Sequence, residues 1–160
     1  QPITLSEYAV NRNNDLDRLD PTQRVFADGT LEWANDLVRA YRTVRDTGSP
    51  LVVPTLRTWL GGSAGSGKST TLKTIVQHIR LIFQKAGIDA TVELTAYTGV
   101  AAFNIGFGAK TACSIFHVFP NAAWRNELEG EVLRKLERQW RTVVLLIVGE
   151  VSFIGRAFFA

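Results

Sequence analysis

An α/β fold, a parallel sheet covered by helices on both faces, is what this 160-residue sequence predicts. Three observations carry that prediction. Strand-like stretches alternate with helix-like ones from residue 55 onward. A glycine-rich stretch, LGGSAGSGKSTT, stands between one of those strands and the helix that follows it. The run VVLLIV, Val143 to Val148, is unbroken and apolar, and it halts at Gly149 and Glu150.

Bulk properties narrow the possibilities. With 160 residues and 46% apolar content the chain is one domain, or part of one, with enough material for a real core. A single cysteine, Cys113, excludes a disulfide framework and a cysteine-built zinc site, and it suits a reducing compartment. The first residues do not form a charged segment followed by an apolar one, and no apolar run approaches the ~18 residues of a membrane helix, so a soluble protein is expected. A net charge of +3, from 18 basic and 15 acidic residues, permits a polyanionic partner without requiring one.

In chain order, residues 1–20 carry Asn11, Asn13, Asn14, Asp15, Asp17 and Asp20 with little apolar periodicity, and read as an irregular arm. From Pro21 to Val44 apolar residues recur at helical spacing, with Pro21 suited to a helix start and the Asp28–Gly29 step a candidate break. Thr47 to Pro50 is a loop signal, and Thr55 to Leu60 (TLRTWL) reads as a short strand entering the glycine-rich turn. A long helix follows from Lys68 to about Lys85, closed by Gly87. Residues 90–95 alternate like a strand, Thr98 to Ile105 reads as a short helix, and Gly106 to Phe119 as a loop with aromatics. Glu127 to Arg141 is an amphipathic charged helix, and Val143 to Val148 a strand.

The stretch from Gly62 to Ser69 fits the phosphate-loop pattern G-x-x-x-x-G-K-[ST] in the required place, between strand and helix. Glycines let the backbone fold so that successive N–H groups face the phosphates, and the helix N-terminus adds its positive dipole end. Lys68 then reaches the β- and γ-phosphates of a nucleotide while the Ser69 hydroxyl ligates Mg²⁺. Such a loop serves kinases, GTPases, motors and helicases alike, so it does not choose a function.

Three further stretches choose together: LTAYTGVAAFNIG (94–106), KTACSIFHVF (110–119) and LLIVGEVSFIG (145–155). Read in order after GSAGSGKST, they resemble the Pif-type (petite integration frequency) DNA helicases, superfamily-one motors related to the RecD-like helicases. The corresponding family patterns are T-A-x-T-G-x-A-A, T-x-H-S-x-F and L-I-I-D-E-x-S-M, and LDPTQ at Leu19 to Gln23 looks like the family's Q motif. The resemblance implies a P-loop NTPase fold of RecA-like type, present here as an incomplete motor domain over 21–160 that stops after its Walker B strand. It implies ATP and Mg²⁺ as cofactors and single-stranded DNA as partner, with 5′-to-3′ movement. It also implies work in DNA repair, recombination and telomere maintenance, in nucleus or mitochondrion for a eukaryotic protein and in cytoplasm otherwise.

Transferred residue by residue, the resemblance gives Gln23 to the adenine edge, a match an amide can make. It gives Gly62, Gly65, Ser66, Gly67, Lys68, Ser69 and Thr70 to the phosphates and metal. Thr95, Thr98 and Gly99 meet the DNA backbone, with Thr111 and Ser114 extending that track. The alternative for this region is a helix packing on the sheet through Val100, Ala101 and Phe103, which is compatible with DNA contact. Lys68 and Glu150 are the catalytic pair, Glu150 being the glutamate that orients and deprotonates the attacking water.

Two residues depart from the family patterns. The family's histidine falls on Cys113, with His117 four residues further on reading as a loop or packing residue. Gly149 occupies the place of the aspartate that steadies Mg²⁺, and glycine cannot hold a metal even through a water. The family's next strand, a sensor strand that lies between the phosphate-loop strand and 143–148, and its second motor domain with a γ-phosphate arginine, are not in these residues. Open strand edges are therefore expected. Three readings follow: the N-terminal portion of a helicase motor, inactive alone; a non-catalytic remnant that binds ATP or single-stranded DNA; and a small phosphate-loop kinase with a lid drawn from Arg125, Arg134, Arg138 and Arg141.

Overall fold

A computed structural model describes residues 15–63, 65–117 and 130–151. Its contacts divide the chain into two compact units, 1–89 and 90–160.

The first unit is built on two helices. Helix α1, Pro21–Thr47, opens with a capping box: the Asp20 carboxylate accepts from the backbone N–H groups of Thr22 and Gln23, and Gln23 Oε1 accepts from Asp20 N–H. Gly48 closes it in the left-handed region, donating to Val44 O at 2.8 Å. The buried stripe is Ala27, Thr30, Trp33, Ala34, Leu37 and Val38, at the spacing of one helical face. Val25 is exposed.

The Asp28–Gly29 step does not break this helix, which runs unbroken for 27 residues. One interior glycine costs about 1 kcal/mol, and the buried stripe on both sides of it outweighs that. A Cβ on the exposed Gly29 would meet nothing within 4 Å. Gly29→Ala is therefore expected to stabilise the chain by about 0.5–1 kcal/mol, raising Tm in a thermal melt by about 2–4 °C.

Helix α2, Lys68–Ala86, packs against α1, with Trp33 edge-on to Phe83 at 6.5 Å between ring centroids. Gly87 caps it as the sequence predicts. The expected strand at Thr55 to Leu60 does not form. A strand needs a neighbouring backbone to satisfy its N–H and C=O groups, and no described residue pairs with this segment. Residues 51–60 form neither helix nor strand and are largely exposed, Val52 and Trp59 included, and Pro54 O accepts from Trp33 Nε1 at 2.7 Å.

The second unit alternates strand and helix. Its elements are β1 (Thr91–Ala96), α3 (Gly99–Ile105), β2 (Lys110–Thr111), α4 (Ala112–Phe116), α5 (Gly130–Trp140) and β3 (Val143–Gly149). The three strands form a parallel sheet in the order β2-β1-β3, so the fold is α/β. β1 is central and mostly buried, whereas β3 is half-buried along its whole length and pairs on one side only among the described residues.

Two expectations change in this unit. The stretch Gly106 to Phe119 is not simply a loop: β2 pairs with β1, and α4 follows directly under the cap of Thr111. Local patterning could not show a strand of two residues, because the hydrogen bonds that define it come from β1. Helix α3 packs through Ala101, Ala102 and Ile105, while Val100 and Phe103 face solvent. Helix α5 keeps no residue fully buried, as a charged amphipathic helix should, and Trp140 at its end stacks on Phe116 at 5.2 Å. The part of that expected helix at 127–129 lies outside the described residues, as do 1–14 of the arm, whose 15–17 form a helical turn.

Candidate functional site

The phosphate loop shows why its glycines are needed. Gly62 has φ +146°, and a Cβ there would lie 2.6 Å from Ser66 Oγ. Gly67 has φ +81°, serves as N-cap of α2, and a Cβ on it would lie 2.8 Å from Gln23 Nε2. At both positions the torsion strains any larger residue, and a side chain would also have to displace Ser66 Oγ or the Gln23 amide. Gly65 also takes positive φ, and Ala64 lies outside the described residues.

Lys68 folds back over the loop it belongs to. Its ammonium donates to Gly62 O at 2.7 Å, Ser63 O at 2.6 Å and Ser66 Oγ at 3.4 Å. These carbonyls hold the charge where the loop curves round it, and a phosphate oxygen is a stronger partner that would draw it off them. Ser69 and Thr70 are exposed in the first turn of α2, free of the core. Thr71, which the sequence reading did not single out, is buried and donates to Gly67 O at 3.1 Å, tying loop to helix. The pattern G-K-S-T-T contains that signal, since a threonine four residues after the N-cap can bond back to it.

Gln23 reaches this loop across 43 residues of sequence: its Nε2 donates to Ser66 O at 2.8 Å while Oε1 stays in the capping box. Each half of an amide has capacity for a second hydrogen bond, so one donor and one acceptor remain, the pair an adenine edge would take. At the next residue, the Arg24 guanidinium is held above its usual pKa, chiefly by its hydrogen bond to Asp28 and further by Asp17.

In the second unit the residues expected along DNA lie at neighbouring strand ends. Thr95 pairs with Lys110 and Ala96 with Thr111 in register. Thr95 is fully buried and its hydroxyl donates to Lys110 O at 3.0 Å, so it joins two strands and does not present itself to a ligand. The Thr95 hydroxyl is thus committed to the sheet, and the expected DNA contact at this residue falls to its exposed neighbours. Thr98 is exposed and caps α3, accepting from Ala101 N–H at 3.1 Å, with Gly99 exposed beside it. Thr111 caps α4, accepting from Ser114 N–H at 3.2 Å, and Ser114 is exposed. Both threonines thus have a structural task that a T-x-x pattern before a short helix could have revealed. Cys113 is half-buried, and His117 ends α4 in the left-handed region with its N–H on Cys113 O.

Gly149 ends β3 opposite Ala96, and Glu150 follows, exposed, at φ +52°. That torsion is uncommon for a residue with a side chain and marks a sharp turn out of the strand. Among the described residues no three His, Cys, Asp or Glu side chains gather as a metal cluster, and no helix is long and apolar enough to cross a membrane.

A glycine loop bent around a lysine at the head of a helix, in a chain with a parallel α/β sheet, defines the class of phosphate-loop nucleotide-binding proteins. Within that class the chain belongs to the PIF1-like helicase family, whose pattern it matches over residues 54–160. It is 31% identical over 99 residues to the ATP-dependent DNA helicase RRM3 of Saccharomyces cerevisiae. It is 32% identical over 99 residues to the ATP-dependent DNA helicase PIF1 of Candida albicans. Each alignment takes in 58% of this chain, but only 12% and 10% of those relatives' own lengths. No solved structure matches it.

Proposed function

We propose that this chain is the nucleotide-binding portion of a DNA helicase motor of the Pif type, binding ATP on the 62–70 loop and single-stranded DNA near Thr98, Gly99, Thr111 and Ser114. The observation that carries the reading is the phosphate loop itself, folded around Lys68 with Gly62 and Gly67 in torsions that favour glycine. When ATP binds, Lys68 exchanges backbone carbonyls for phosphate oxygens, and the loop N–H groups and the α2 dipole face the same anion. Gln23 and Thr95 act as positioning residues, one bracing the loop and one joining β1 to β2.

The residues present fit Mg²⁺ only in part. Ser69 offers an exposed hydroxyl in the required turn, but Gly149 offers no carboxylate. Binding of nucleotide is therefore assigned to this chain and efficient hydrolysis is not, although the family pattern gives Glu150 the part of general base. The 5′-to-3′ direction, the genome-maintenance roles and a nuclear or mitochondrial setting belong to the same proposal and follow from the family. The kinase reading is weaker, because Arg134 and Arg138 lie exposed on α5, and Arg138 Nε donates to Arg134 O instead of lining a lid.

Exposed hydroxyls and backbone N–H groups recognise phosphates more readily than base edges. The chain is accordingly expected to prefer single strands to duplex, with an affinity that falls as salt rises, by about 0.7 in the log–log slope for each phosphate neutralised. Fluorescence anisotropy over a salt series measures it. Tighter binding to duplex, or a flat salt response, would overturn the DNA assignment.

A further inference from the structure

Nothing in the backbone asks for glycine at position 149. It lies in regular strand pairing with Ala96, and it is absent from the glycines with positive φ. The constraint is spatial. A Cβ built on Gly149 would overlap Cδ1 of Ile105 and lie 3.4 Å from its Cγ1 and 3.6 Å from Thr95 O. Ile105 is the last residue of α3 and, with Ala101 and Ala102, forms that helix's buried face. Its terminal methyl therefore stands in the volume that any side chain at position 149 needs.

We propose that Ile105 and Gly149 form an apolar plug where a metal-steadying carboxylate would otherwise stand, and that Ile105 is the residue deciding whether a side chain can return there. Gly149 is only half-buried, so what the methyl occupies is the direction a side chain would take from this backbone, not the whole of the surrounding space. A carboxylate placed against this methyl loses hydration on that side and gains no donor in exchange. The metal role of position 149 rests on the function proposed above, whereas the packing does not, and the test separates them.

Ile105→Val removes Cδ1 and keeps the branched carbon, so it opens the contested volume with little other change. Gly149→Ala, Ile105→Val and the pair, made in the 160-residue chain, form a double-mutant cycle read by thermal denaturation. Gly149→Ala alone is expected to lower Tm by about 3–8 °C through overpacking, and Ile105→Val alone by about 2–4 °C. On the valine background the glycine substitution should change Tm by less than about 1 °C, a strong non-additivity. Equal losses on both backgrounds, or no loss from Gly149→Ala, overturn the plug. A second arm titrates a non-hydrolysable ATP analogue with and without Mg²⁺. Gly149→Asp combined with Ile105→Val should gain about tenfold more from Mg²⁺ than Gly149→Asp alone. A non-additive cycle without that gain upholds the plug and overturns the metal reading of position 149.

Discussion

Lys68→Ala is expected to lower affinity for a non-hydrolysable ATP analogue by at least about a hundredfold, the scale of losing charge-assisted hydrogen bonds to two phosphates. The ammonium is the loop's only cation, already centred by three contacts to Gly62, Ser63 and Ser66. No arginine or second lysine lies within 62–70 to replace it. The loop's shape should survive the substitution, since its curvature comes from glycine torsions and from the Gln23 and Thr71 hydrogen bonds. Calorimetric titration, with circular dichroism to confirm the helix content, reads the effect. Equal affinity in both proteins would remove the phosphate-loop assignment.

A larger change is expected when the metal carboxylate is restored with the rest of a motor supplied. Tested as residues 1–160 alone, Gly149→Asp should leave turnover near background even with Ile105→Val, because charge compensation in phosphoryl transfer takes more than one restored carboxylate. In a longer helicase chain that bears glycine here and also carries a second motor domain, the same pair should raise DNA-stimulated ATP hydrolysis by about 10²–10³-fold. Glu150→Gln added to that pair should remove the gain and leave nucleotide binding intact, since only proton transfer to the carboxylate is lost. Phosphate release with and without single-stranded DNA measures all of these. A glycine-bearing chain that hydrolyses ATP as fast as its aspartate variant would show that position 149 does not hold the metal.

Local chemistry made much of the fold legible. The caps of α2 and α3, at Gly87 and Thr98, follow from residue type, and VVLLIV was a strand by composition alone. What misled was the assumption that local signals act alone. Gly29 has the weakest helix propensity short of proline, yet it sits inside α1, because the cost of one residue is smaller than the burial of Trp33, Leu37 and Val38 further along. TLRTWL has strand composition and forms no strand, because a ladder is a relation between two segments.

The candidate site divides along the same line. Spacing by itself marked the phosphate-loop pattern from Gly62 to Ser69, and the family resemblance marked Gly149 as standing at the pattern's aspartate, because each depends on residue identity within a few positions. The tertiary structure alone decided that Gln23 braces Ser66, that Thr95 is sealed between β1 and β2, and that the Ile105 methyl fills the volume beside Gly149. Those contacts join residues 43, 15 and 44 positions apart. Distances of that kind are set by how helices and strands pack against one another, and burial is a property of the packed whole that no single stretch of sequence carries.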